Sequence, residues 1–142
     1  MALLTAPLRP LRDERELMGL ARRRSGEWGN VVVIAWSDHD GGWSGVWCRA
    51  GTEARRFAGA ELGSPGASGP GAPVNDGGNA GAADVFRAGL LWARLRNWEW
   101  ERGLRFAAVA ATLKPAEAGG GAGGMESVPR LEEIEAVLLR AG

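Results

Sequence analysis

Hydrophobic positions change their period several times along the chain, and each change marks an element. Leu17, Met18, Leu20 and Ala21 recur at helical intervals behind Asp13 and Glu16, which are placed as a capping pair. The spacing predicts a helix from about 13 to 24, closed by Ser25-Gly26-Glu27. Gly29-Asn30 then leads into Val31 to Trp36, an apolar, mostly β-branched run without alternation, as in a strand covered on both faces. Asp40-Gly41-Gly42 is a turn signal, and Trp43–Cys48 and Ala54–Ala58 read as two shorter strands turning at Gly51-Thr52. Residues 59–81, rich in Gly, Ala, Ser and Pro, read as a flexible loop. Two helices follow. The first, 82–96, carries Val85, Phe86, Gly89, Leu90 and Ala93 on one side, and the second, 99–114, is apolar almost all round and stopped by Pro115. After a second flexible stretch, Ala118 to Gly124, Pro129 opens a last helix with Leu131, Ile134 and Leu138 turned inward and Glu132, Glu133 and Glu135 turned to water. This order of elements predicts an α/β domain.

Composition narrows the chemistry. With 142 residues the chain is sized for one domain, and a formal net charge of zero gives no electrostatic reason to expect nucleic acid or an anionic membrane as partner. The densest basic run, Arg22-Arg23-Arg24, reads as a solvated C-terminal helical turn. Cys48 is the single cysteine, which excludes an intrachain disulfide and a multi-cysteine metal site. It reads as a small buried hydrophobe, with a nucleophile paired to His39 as the alternative. The seven tryptophans read as core or edge packing rather than a base-stacking platform, because the sequence pattern sets no basic side chains among them. No apolar run approaches the ~20 residues that span a bilayer, and no signal peptide is recognisable, so a cytoplasmic location is expected.

The stretch with candidate chemistry is Gly81-Ala82-Ala83-Asp84-Val85-Phe86. It sets small residues and one carboxylate at a predicted helix start, where unpaired amides and the positive end of the dipole favour an anion. A carboxylate there can take a proton from a hydroxyl attacking a phosphate. A dinucleotide fingerprint through Gly77-Gly78 and Gly81 lacks a preceding strand, and a P-loop is excluded because no G-K-[ST] occurs.

Gly81 to Phe86 resembles the signature D-T-x-G-A-G-D-x-F of the PfkB, or ribokinase-like, carbohydrate kinases. Val31–Trp36 running into Ser37 and Gly41-Gly42 resembles that family's strand ending in T-x-G-x-x-G. Leu104 to Lys114 is similar to the helix beside its adenine pocket, and Val128 to Leu138 to its closing helix. The likeness covers about residues 13–140, leaving 1–12 as an N-terminal extension, and matches only the family's C-terminal half.

The resemblance implies a partial three-layer α/β/α sandwich and ATP- and Mg²⁺-dependent phosphoryl transfer to a sugar or small-alcohol hydroxyl. It implies Asp84 as base and the amides of Gly81, Ala82 and Ala83 as the anion hole for the ATP phosphate. Ser37, Gly41, Gly42 and Ala108 would lie on the nucleotide side. Ala83 stands where the family has Gly, Gly78 and Asn79-Ala80 replace the leading Asp-Thr, Ala35 and Ser37 replace Thr and Gly, and Ala108 replaces an Asn. Because the family's sugar-binding residues belong to the other half, this chain is expected to be inactive alone and to self-associate through an exposed sheet edge. The alternative is a non-catalytic remnant.

Overall fold

The computed structural model describes residues 1–6, 13–37, 42–58, 78–113 and 130–140. Four strands form one sheet in the order β1 (Ala2–Ala6), β2 (Val32–Ser37), β3 (Trp43–Cys48), β4 (Arg55–Ala58). β1 runs parallel to β2, and the remaining pairs are antiparallel. Residues 2–6, expected to lie in an extension outside the domain, are thus a strand of the sheet, with Ala2 opposite Val32 and Ala6 opposite Trp36.

Every residue of β2 and β3 is buried, as a strand covered on both faces must be. On one face Val32, Ile34, Trp36, Val46 and Cys48 pack on Leu17 and Ala21 of α1 (Glu14–Trp28). On the other, Val33, Ala35, Trp43, Trp47 and Phe57 meet Phe86 and Leu90 of α2 (Gly78–Leu95), and Leu104, Ala107 and Ala108 of α3 (Trp100–Leu113). The arrangement is a three-layer α/β/α sandwich. α4 (Leu131–Arg140) adds a further helix outside α3, where Ile134 closes on Phe106, Val109 and Ala110.

Several boundaries differ from the sequence expectation for physical reasons. α1 runs on to Trp28 because Ser25, buried between α1 and the sheet, donates its hydroxyl to the Arg22 carbonyl at 2.9 Å and lies 3.2 Å from Cys48 Sγ. The helix ends instead at Gly29, whose φ of 59° is the left-handed cap that Gly adopts without steric cost. Arg22 to Arg24 are therefore exposed mid-helix residues, and Asp13 makes no side-chain capping bond. Cys48 is a buried free thiol, as expected. Leu131, expected to face inward, is exposed at the start of α4, while Glu133 closes a capping contact with the Arg130 amide at 2.8 Å. His39, Gly41, the 59–77 part of the glycine-rich loop, Pro115, the 118–124 stretch and Pro129 lie outside the described residues. Among the described residues no helix is long and apolar enough to cross a membrane.

Candidate functional site

Four element ends converge at one end of the sheet. β2 finishes at Ser37, opposite Trp43 at the start of β3. The Trp43 amide donates to Thr112 Oγ1 near the end of α3 (3.2 Å), and the Trp43 ring stacks on Phe86 of α2 at 5.4 Å. The first turns of α2, with Ala82 buried in the same cluster, therefore lie at the carboxyl ends of parallel β1 and β2. That is where ligands bind in open α/β sheets.

Asp84 reaches this region but faces outward. Its side chain is 74% exposed, and one carboxylate oxygen accepts from Arg87 at 2.9 Å, one helical turn on. The cause is register. Phe86 points at the sheet, and a residue two positions earlier lies 200° round the helix.

The predicted anion hole differs more. α2 begins at Gly78, not at 82, so Gly81, Ala82 and Ala83 lie inside the helix. By the i→i−4 pattern the amides of Ala82 and Ala83 fall within the helical ladder, and the free amides of the first turn lie upstream. Gly81 and Ala83 are partly exposed, whereas Ala82 is a core residue. With alanines at 80, 82 and 83, all strong helix formers, nothing in this segment resists extending the helix backward.

The nucleotide-side residues are placed as follows. Ser37 is buried at the end of β2, Gly42 is partly exposed just before Trp43, and Gly41 is not among the described residues. Ala108 is fully buried between α3 and the sheet, so it is a packing residue that a nucleotide cannot reach. Among the described residues no three His, Cys, Asp or Glu side chains gather to hold a metal ion. The structure thus fits an ATP–Mg²⁺ group in part: an open carboxylate and small residues stand at the right end of the sheet, but the amides and the adenine-side position do not form a cradle.

Sequence reasoning missed one cluster. Around the α2–α3 turn, Arg94 stacks over Trp100 at 4.4 Å, Arg96 over Trp92 at 5.0 Å and Arg102 over Trp98 at 4.0 Å. These tryptophans do have basic neighbours. The signal was present as a Trp or an Arg at every second position from 92 to 102. Trp92, Trp98 and Phe106 also pack on one another, with Trp92–Trp98 edge-on at 5.1 Å, so the cluster joins the two helices.

No family model matches the chain, and no curated protein matches it by sequence. Solved structures do match by fold. A ribokinase from Thermotoga maritima aligns over 98% of this chain and 42% of its own, with 19% identity and a TM-score of 0.55. A candidate 2-keto-3-deoxygluconate kinase from Enterococcus faecalis aligns over 97% and 40%, with 16% identity and a TM-score of 0.57. Ribokinase from Arabidopsis thaliana, solved with ribose and ATP, aligns over 97% and 41%, with 21% identity and a TM-score of 0.54. The chain spans about two fifths of the length of these structures, and it shares with them part of a ribokinase-like fold.

Proposed function

We propose that this chain is the nucleotide-side portion of a ribokinase-like carbohydrate kinase, whose site is completed only by further polypeptide. In the completed enzyme Asp84 takes the proton from a sugar or small-alcohol hydroxyl as it attacks the γ-phosphoryl group of ATP. A Mg²⁺ ion bound with the nucleotide would supply positive charge against the phosphates. The amides at the start of α2 receive the phosphate once its first turns unwind through Ala83. Until then the chain alone does not turn over. The observation that carries the reading is the meeting of the α2 start, the end of β2 and Thr112 at one end of the sheet.

The helical start at Gly78 favours a second reading, a non-catalytic remnant of the same fold. A chimera in which this chain replaces the matching 42% of the Thermotoga maritima ribokinase separates the two. The kinase reading expects the chimera to bind Mg-ATP by calorimetry and release ADP in the presence of sugar, with kcat falling ~10²–10⁴-fold in Asp84→Asn. A folded chimera that binds no Mg-ATP selects the remnant. Unchanged turnover in Asp84→Asn removes Asp84 from the role of base.

A further inference from the structure

The tryptophans that join α2 to α3 also fix the side chains laid over them. Arg96 stands four residues after Trp92, and Arg102 four residues after Trp98. Helical side chains lean toward the N-terminus, so an arginine at that spacing lies back over the ring one turn before it. The guanidinium carbons sit 5.0 Å and 4.0 Å from the two ring centres. The rings themselves meet edge-on at 5.1 Å, so one aromatic pair holds both cations.

Stacking uses the flat face of a guanidinium and leaves the N–H donors round its rim. Arg96 and Arg102 are exposed, and among the described residues neither makes a hydrogen bond or an ion pair. Arg94 is engaged differently: it lies over Trp100 and donates to the Trp98 carbonyl, which ties the turn together. The balance of charge favours an anion. Residues 92–105 carry Arg94, Arg96, Arg102 and Arg105 against Glu99 and Glu101, and Glu101 is drawn to Arg55 of β4 at 2.5 Å.

The ring faces decide which anion. Trp92 has Phe106 stacked at 5.0 Å as well as Arg96, and Trp100 has Trp47 at 6.1 Å as well as Arg94. Trp98 meets Trp92 and Phe106 edge-on and carries Arg102. A nucleobase would need one of those faces, and they are taken. A carboxylate needs only the guanidinium rim, which it fits with two parallel hydrogen bonds.

We propose that Arg96 and Arg102, braced on the Trp92–Trp98 pair, form a docking surface for an acidic segment of a partner polypeptide, one guanidinium to each carboxylate. Bracing removes rotamer freedom before binding, so less is lost when the partner arrives. This corner lies at the end of α2 and the start of α3, whereas the candidate phosphate site lies at the start of α2 and the end of α3. A partner seated here leaves that site open, and the test does not depend on the kinase reading.

Fluorescence anisotropy of a labelled oligoglutamate peptide, titrated with the whole chain at about 0.15 M salt, reads the contact. Binding should saturate below ~1 mM. Arg96→Lys with Arg102→Lys keeps every charge but gives up the fork and the stacking, and should raise the dissociation constant ~5-fold or more. Arg22→Gln with Arg23→Gln removes two exposed cations of α1, on the other face of the sheet, and should change it by less than about twofold. A single-stranded oligonucleotide of equal charge should bind more weakly than the peptide. Circular dichroism checks that each variant is folded, and Arg102→Lys alone serves if the pair is not. Absence of saturable peptide binding overturns the proposal. So does an equal loss in the α1 variant, a folded lysine variant that binds as well as the unsubstituted chain, or tighter binding of the oligonucleotide. A dimer of the unliganded chain that the lysine variant abolishes would assign the surface to a second copy and overturn it too.

Discussion

Gly45 occupies the middle of a row that runs Ala35, Gly45, Phe57 across three strands, and the Phe57 ring lies over it. A Cβ built there would stand 2.3 Å from the Ile34 carbonyl oxygen and 2.6 Å from the Phe57 ring. The ring can turn away, but the carbonyl belongs to the β2 backbone and cannot. Gly45→Ala should therefore cost about 2–3 kcal/mol in urea unfolding. Adding Phe57→Ala should not restore the loss, because the backbone contact remains. A Gly within a strand signals close approach in general terms, but the partner that makes it obligatory comes from neighbouring strands. Asp84 shows the same limit. Its residue type and its place near a helix start were legible, whereas the direction of its side chain depends on where α2 begins.

Elements defined by their own periodicity were the readable ones. β2 announced itself by an unbroken apolar run and is buried throughout, and α3, apolar almost all round, has eight buried residues. β1 was not readable, because its five residues form a strand only by pairing with β2, thirty positions on. The start of α2 was missed because alanine flanked by glycine is compatible with either a loop or a helix. What anchors α2 is Phe86, fully buried between Trp43 at 5.4 Å and Phe57 at 5.9 Å. Phe86→Ala should destabilise the fold by about 3–5 kcal/mol, read by thermal or urea unfolding. It should also shift the tryptophan emission at once, since Trp43 loses its stacking partner. A variant with native stability would mean that α2 is held elsewhere, and with it the candidate site.

For the whole molecule, the described sheet ends at β4 on a short strand that carries two arginines, a pattern that keeps an edge from pairing. The ion pairs at Arg55 and Arg56 are exposed, and pairs of this kind contribute about 0–1 kcal/mol each. Their role is accordingly sought in association rather than in stability. Arg55→Val with Arg56→Val should leave the unfolding midpoint nearly unchanged while giving β4 an uncharged, β-branched edge. Two copies of that uncharged edge can pair antiparallel without setting arginine against arginine. Sedimentation velocity should then report more association than the unsubstituted chain shows at the same concentration, and restoring Arg56 alone should reverse most of it. Unchanged association in the double variant would show that the β4 charges do not govern it, and that the exposed Leu91 and Leu95 of α2 are the place to look instead.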